Sequence, residues 1–328
     1  MAILVTGGAG YIGAHTVLAL LERGLCPIVI DDLSAGFGDF VPKNVELVVG
    51  DIGNRDLVID VIQKNKIDTI IHFAGKVDVA ESIANPMEYY LTNTIKAQSI
   101  IKAAADSGVK TFIFSSTAAV YGRSESSLVH EASPLAPISP YGRSKLMTEQ
   151  ILGDAHAAHG LNYAILRYFN VAGADPGGRC GQVTRNATHL IKTALSVIIG
   201  RRPFIEIYGD DYSTRDGTCI RDFIHVSDVA SAHIFALEHL QTAGESITLN
   251  CGYGRGYSVK EVLKAVETVT GKTIPKRIAS RRIGDPVSLV SDSSRLRGLG
   301  WKPKFDNLST IIEHAYSWEM TLANYDPE

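Results

Sequence analysis

Tyr141 and Lys145 stand four residues apart in the stretch SPYGRSKLMTEQ. A helix that starts at the proline puts both side chains on one face. A phenol that meets an ammonium there can take and return a proton at neutral pH. Free tyrosine titrates near ~10, so this role needs a shift of roughly three units, or ~4 kcal/mol, from favourable neighbouring charge. Lys145 supplies part of that charge. The spacing alone also fits an exposed tyrosine beside a solvated lysine, so its meaning depends on what surrounds it. Ser115, Ser116 and Thr117 end an apolar run; Thr117 is placed to orient a reacting hydroxyl, with a helix cap as the plainer use of one of the three.

Those groups need a scaffold, and the chain supplies a recognisable one. The apolar run Ala2–Val5 leads into Thr6-Gly7-Gly8-Ala9-Gly10-Tyr11-Ile12-Gly13, and helical spacing from Tyr11 to Glu22 stops at Gly24. Glycines between a strand and a helix let the backbone approach a pyrophosphate at the helix N-terminus, which reads as dinucleotide binding. Further apolar runs at Pro27–Ile30, Glu46–Val49, Thr69–Phe73, Thr111–Phe114 and Tyr163–Leu166 are spaced for crossover helices. The expectation is an α/β fold, a Rossmann-type doubly wound parallel sheet covered on both faces. Asp31 ends the second strand, where a carboxylate accepts hydrogen bonds from an adenosine ribose and repels a 2′-phosphate, favouring NAD; a turn residue is the alternative. Oxidised nicotinamide adds the remaining positive charge near Tyr141. Asp51-Ile52 and Phe73-Ala74-Gly75 follow the third and fourth strands at the end where a ligand crevice forms.

The alternation weakens after Asn170, where the Gly- and Pro-rich ADPGGRCGQ opens a smaller mixed α/β C-terminal lobe. The expected division is 1–170 with a return of 221–245 for the dinucleotide, and 171–328 mainly for the substrate. With 328 residues and a net charge of −3, the chain has no broad basic footprint for nucleic acid or an anionic membrane. Cys26, Cys180, Cys219 and Cys251 lack the spacing of a zinc site, and no carboxylate or cysteine pattern completes a site around His156 and His159, so no metal is expected. No apolar stretch reaches the length of a membrane span, and a cytoplasmic protein with free thiols is the expectation.

TGGAGYIG, FAG and the Tyr-Lys pair, together with ESIANPMEYYLTN, SSTAAVYG, LRYFNVAGADPGGRCGQ, DGTCIRDFIHVSDVA and RRIGDP, resemble the extended short-chain dehydrogenase/reductase family, and within it the nucleotide-sugar epimerases. The resemblance spans nearly the whole chain. It implies that Gly7, Gly10, Tyr11, Ile12, Gly13, Asp31, Asp51, Ile52, Phe73, Ala74, Asn93, Tyr141, Lys145 and Tyr168 surround NAD. It assigns Thr117, Tyr141 and Lys145 to catalysis. Thr117, Asn170, Asn186, Arg221, Arg282 and Asp285 are implied to hold a UDP-sugar, the guanidiniums suiting its diphosphate. A homodimer joined through helices around Asn93–Ala105 and Tyr141–Ala157 is also implied.

Two positions depart from that pattern. Lys76 stands one place earlier than the lysine of the family's FAGLKAV, which leaves its contact with the nicotinamide open, and Leu289 occupies a position where relatives often carry tyrosine or a smaller residue beside the sugar. Related dehydratases follow the hydroxyl residue with Asp-Glu, whereas Thr117-Ala118-Ala119 has no titratable side chain, so elimination of water is disfavoured. A protein that only senses NAD would need the glycines but not the remaining set.

Overall fold

The computed structural model describes residues 1–122, 126, 128–184, 187–282 and 285–325. In chain order its strands are β1 (Ala2–Thr6), β2 (Cys26–Asp31), β3 (Glu46–Val49), β4 (Ile67–His72), β5 (Thr111–Thr117), β6 (Leu128–Val129), β7 (Asn162–Tyr168), β8 (Asn170–Ala172), β9 (Ile205–Tyr208), β10 (Ile220–His225), β11 (Ile247–Cys251), β12 (Gly256–Ser258), β13 (Lys276–Ala279) and β14 (Ser288–Ser291). The α-helices are α1 (Tyr11–Glu22), α2 (Arg55–Asn65), α3 (Val79–Ala84), α4 (Pro86–Tyr90), α5 (Lys96–Asp106), α6 (Pro140–His159), α7 (Leu190–Ile198), α8 (Val226–Ala243), α9 (Val259–Thr270), α10 (Ser294–Gly298) and α11 (Leu308–Tyr325). They fall into two compact units.

The first unit comprises Met1–Gly122, Pro134–Arg167 and Ala230–Leu249. Its seven-stranded sheet runs β11-β7-β5-β4-β1-β2-β3. β1 is parallel to β2 and β4, β2 to β3, and β4 to β5. The chain's winding reverses at β1, and in such sheets a ligand finds room outside the carboxyl ends of the strands at that switch. Leu4, Ile70, Phe112 and Ile113 are fully buried, as strands covered on both faces require. Each such side chain contributes about 1.5–3 kcal/mol through burial. The doubly wound α/β expectation holds, and the six expected strands are β1 to β5 and β7, their ends shifted by three residues at most.

Helix α6 carries Tyr141 and Lys145, and its ends are written in the sequence. Ser139 caps it by accepting the Gly142 amide at 3.1 Å, Pro140 takes the first helical position, and Gly160 closes it in the left-handed region at φ 69°. A second feature was not legible. Between α4 and α5 the helix passes through a π-helical turn, Leu91–Ile95, which contains Asn93.

The second unit comprises Arg123–Ser133, Tyr168–Val229 and Asn250–Glu328. β10 lies parallel to β8 and β14 and antiparallel to β12, while β14 pairs in parallel with β6. β9 and β13 form a separate parallel pair. Helices α7, α9 and α11 pack together, and a buried Lys192–Glu319 ion pair joins α7 to α11. Among the described residues no helix is long and apolar enough to cross a membrane, and no group of three His, Cys, Asp or Glu side chains is placed to hold a metal. All four cysteines are free thiols.

Candidate active site

The glycine loop is built for close approach. Gly7 sits at φ 68°, and a Cβ there would lie 2.6 Å from the Ala74 amide nitrogen, so only glycine fits between the ends of β1 and β4. A Cβ on Gly13 would run into the Gly7 carbonyl. Gly10 caps α1 without a side chain, and the first turn of that helix holds no acidic residue, leaving its positive end available to an anion. Tyr11 and Ile12 open the helix. The cradle thus fits a dinucleotide.

Asp31, buried at the end of β2, accepts the Ala9 amide at 3.0 Å and the Leu33 amide at 2.9 Å. Burial pushes its pKa up, against the pull of those two amides. Its carboxylate therefore pins the glycine loop and keeps acceptor capacity for hydroxyls. Asp51 accepts Lys96 at 2.6 Å and the Gly53 amide at 2.8 Å, while the adjacent Ile52 is buried in the core. Burial raises the Asp51 pKa, but the Lys96 hydrogen bond and charge and the Gly53 amide outweigh it and hold it below the usual range. Phe73 and Ala74 follow β4 and donate their amides to the Thr6 carbonyl at 2.9 and 3.2 Å.

Tyr141, Thr117 and Lys145 are brought together by α6 packing on β5, and none is more than 9% exposed. Thr117 hydrogen-bonds the Tyr141 phenol, which favours the phenolate, and also accepts the Ala119 amide at 3.1 Å. The Lys145 ammonium donates to the Ser115 carbonyl at 3.0 Å and lies 4.9 Å from the centre of the Phe114 ring. Burial pushes the Tyr141 pKa up despite the Thr117 hydrogen bond, because desolving a phenolate outweighs one donor. Lys145 is itself pushed down to about 8 by burial, opposed by the charge of Glu149.

Three side chains that sequence reasoning missed complete this face. Glu149 and Arg167 form a buried ion pair, and His72 contacts Thr6 at 2.7 Å. Burial, reinforced by the Lys145 charge, pushes His72 down to about 3, so it is a neutral imidazole. Asn93 is a brace: its amide accepts the Lys76 amide at 2.8 Å and donates to the Lys76 carbonyl at 2.9 Å and to Ser144 at 3.1 Å. Lys76 turns its ammonium to Glu81, 3.0 Å away, and over the Tyr89 ring. Tyr168 is buried at the end of β7.

The second unit arranges the remaining expected residues around β10. Asn170 opens β8 opposite Phe223. Arg221 pairs in register with Leu289 on β14, and its guanidinium reaches Asp285 at 3.4 Å. Arg282 stacks on Tyr208 with its guanidinium carbon 3.7 Å from the ring centre, and its carbonyl accepts the Asp285 amide at 3.4 Å. Asn186 lies outside the described residues.

Known proteins share this design. A UDP-glucose 4-epimerase of Azospirillum brasilense is 53% identical over 98% of this chain and 92% of its own. The crystal structure of a UDP-glucose-4-epimerase from Stenotrophomonas maltophila with bound NAD and formylated UDP-arabinopyranose matches with a TM-score of 0.96 at 37% identity, covering 99% of this chain and 100% of that one. A UDP-Glc/GlcNAc 4-epimerase from Campylobacter jejuni matches with a TM-score of 0.86 at 45% identity, covering 98% and 99%. Residues 3–252 match the NAD dependent epimerase/dehydratase family, to which this chain belongs.

Proposed function

We propose that this chain interconverts UDP-glucose and UDP-galactose by inverting carbon 4 of the sugar. The observation that carries this reading is the buried Thr117, Tyr141 and Lys145 cluster on a sheet whose glycine cradle fits a dinucleotide. The first unit, with its return at Ala230–Leu249, holds NAD, and the second mainly holds the UDP-sugar. Gly7, Gly10 and Gly13 admit the pyrophosphate, with Tyr11 and Ile12 beside it. Asp31 takes the adenosine ribose, and Asp51, Ile52, Phe73, Ala74, Asn93 and Tyr168 line the rest. When bound, NAD supplies the two-electron acceptor and donor for carbon 4, so the sugar passes through a 4-keto form with no net redox change.

Tyr141 removes the proton of the 4-hydroxyl and later returns it. Thr117 orients that hydroxyl, and Lys145 supplies positive charge to the phenolate. Arg221 and Arg282 hold the diphosphate while the planar carbonyl presents either face, and Asn170, Asn186 and Asp285 position the rest of the nucleotide sugar. Ala118 and Ala119 offer no acid for dehydration. Lys76 pairs with Glu81 at 3.0 Å.

Leu289 favours a second reading of breadth, in which UDP-N-acetylhexosamines or UDP-pentoses are also accepted. Incubation with a panel of UDP-hexoses, UDP-N-acetylhexosamines and UDP-pentoses, with products read by nuclear magnetic resonance, tests both readings. Epimer pairs without added NAD are expected; a dehydrated or keto product would overturn the proposal. We infer that the protein acts in the cytoplasm and that it forms a homodimer through the helices around Asn93–Ala105 and Tyr141–Ala157, where the apolar side chains of Ile95 and Met147 are exposed.

A further inference from the structure

Tyr141, Lys145 and Glu149 follow one another at four-residue intervals along α6, so they form one row on one face of the helix. The first two are the proposed proton-transfer pair. The third is 6% exposed and holds Arg167 of β7 through Nε at 3.0 Å and through its terminal nitrogen at 2.5 Å. Glu149 also accepts the hydroxyl of Ser116, which lies between the Lys145 acceptor Ser115 and Thr117. Arg167 continues the chain of contacts to the Tyr121 hydroxyl at 3.1 Å. A buried carboxylate and guanidinium with this many well-placed partners fix the register of α6 on β5 from inside the unit.

We propose that Glu149 and Arg167 are positioning residues for the reaction: their ion pair sets the Lys145 ammonium and the Thr117 hydroxyl against Tyr141 without touching the substrate. Its charges matter as well as its shape. The charge of Glu149 favours the Lys145 ammonium against burial. The other titratable or charged groups around Lys145 are Tyr141 on its own helix, His72 on β4, Arg167 on β7, Tyr121 beyond β5, and the Lys76–Glu81 pair with Tyr89 across from Tyr141. His72 is neutral throughout the working range, so Glu149 is the acidic group of this set that bears on Lys145.

The inference rests on the proposed roles of Tyr141 and Lys145, and its test separates the two claims. Carbon-13 resonance of ε-labelled lysine reports the Lys145 titration without turnover, the signal being assigned by its loss in Lys145→Met. Glu149→Gln removes a favourable charge and leaves the Arg167 charge unbalanced. Its Lys145 midpoint should fall by about one pH unit, and the alkaline limb of turnover should move with it. Turnover should drop about tenfold or more, while KM for the UDP-sugar stays within about twofold, because the pair acts through Lys145 and Thr117.

In Glu149→Gln/Arg167→Gln both charges are gone, so the midpoint should return to the wild-type value while turnover stays low. If the single variant does not fold, the charge-neutral double variant carries the test by the same split between turnover and KM. An unmoved midpoint in Glu149→Gln, or wild-type turnover in the double variant, overturns the proposal. A wild-type protein inactive on every UDP-sugar would instead remove the proposed function, leaving the midpoint shift to judge the pair.

Discussion

Thr117, Tyr141 and Lys145 of the first unit are almost wholly buried, whereas Arg221 and Arg282 of the second are half-buried and exposed. The first group is held by a cap, a carbonyl and a helix face, and Arg282 by the aromatic face of Tyr208. The contrast matches the two tasks proposed for these groups. Moving a proton demands fixed geometry, because misplacement by about 1 Å can slow a reaction a hundredfold. Holding a diphosphate while a sugar turns over demands strong charge and tolerates freedom, which guanidiniums on long stems provide.

The largest effect that sharpens this comparison is Tyr141→Phe, which keeps the ring and removes the proton carrier. Turnover should fall about 10²–10⁴-fold while UDP affinity, measured by calorimetry, stays unchanged. Full turnover in that variant would break the comparison at its first term. Next comes stability. Arg167→Met leaves Glu149 buried and unpaired, and urea unfolding should report a loss of about 3–5 kcal/mol. Lys192→Met should cost a similar ~3–5 kcal/mol through Glu319 in the second unit, yet leave the alkaline limb of turnover where it was. A shifted limb in that variant would erase the distinction between the two buried pairs.

Smaller effects belong to the open arginines. Arg221→Ala should weaken UDP binding about 10–100-fold, in keeping with a lost charge-assisted hydrogen bond worth about 1.5–3 kcal/mol, and raised salt should weaken the wild type in the same direction. Leu289→Ser should change the ratio of UDP-N-acetylhexosamine to UDP-hexose turnover by about tenfold, read from competing substrates in one tube.

Lys145 adds a prediction about pH. Its native pKa is about 8 against an ordinary 10.5, so between those values the unfolded chain binds more protons than the native one. Stability from this residue should therefore rise with pH across that window, while turnover, which in the proposed mechanism uses the ammonium, should fall through about pH 8. Unfolding midpoints and rates measured on the same samples would show the two trends crossing.

Legibility in the sequence follows the same division. The first unit could be read because its strands are continuous apolar runs and α6 announces itself by Ser139, Pro140 and Gly160. The Glu149–Arg167 pair was also there to be found: Glu149 repeats the Tyr141 and Lys145 spacing, and Arg167 interrupts the otherwise apolar end of β7, where a buried charge needs a partner. The π-helical turn at Asn93 gives no compositional sign, since one extra residue per turn leaves the pattern helical. The second unit was harder because β6 and β8 have two and three residues, too few for a period, and pair with strands far along the chain. The raised pKa of Tyr141 was hidden for another reason: spacing shows which charges are near but not how much water is lost.

The central claim is that the hydrogen taken from carbon 4 is the one given back. UDP-glucose carrying deuterium at carbon 4, incubated with the purified protein in ordinary water, should yield UDP-galactose that retains the label at that carbon, as seen by deuterium resonance and mass spectrometry. Loss of the deuterium to solvent in the epimerised product would contradict the account.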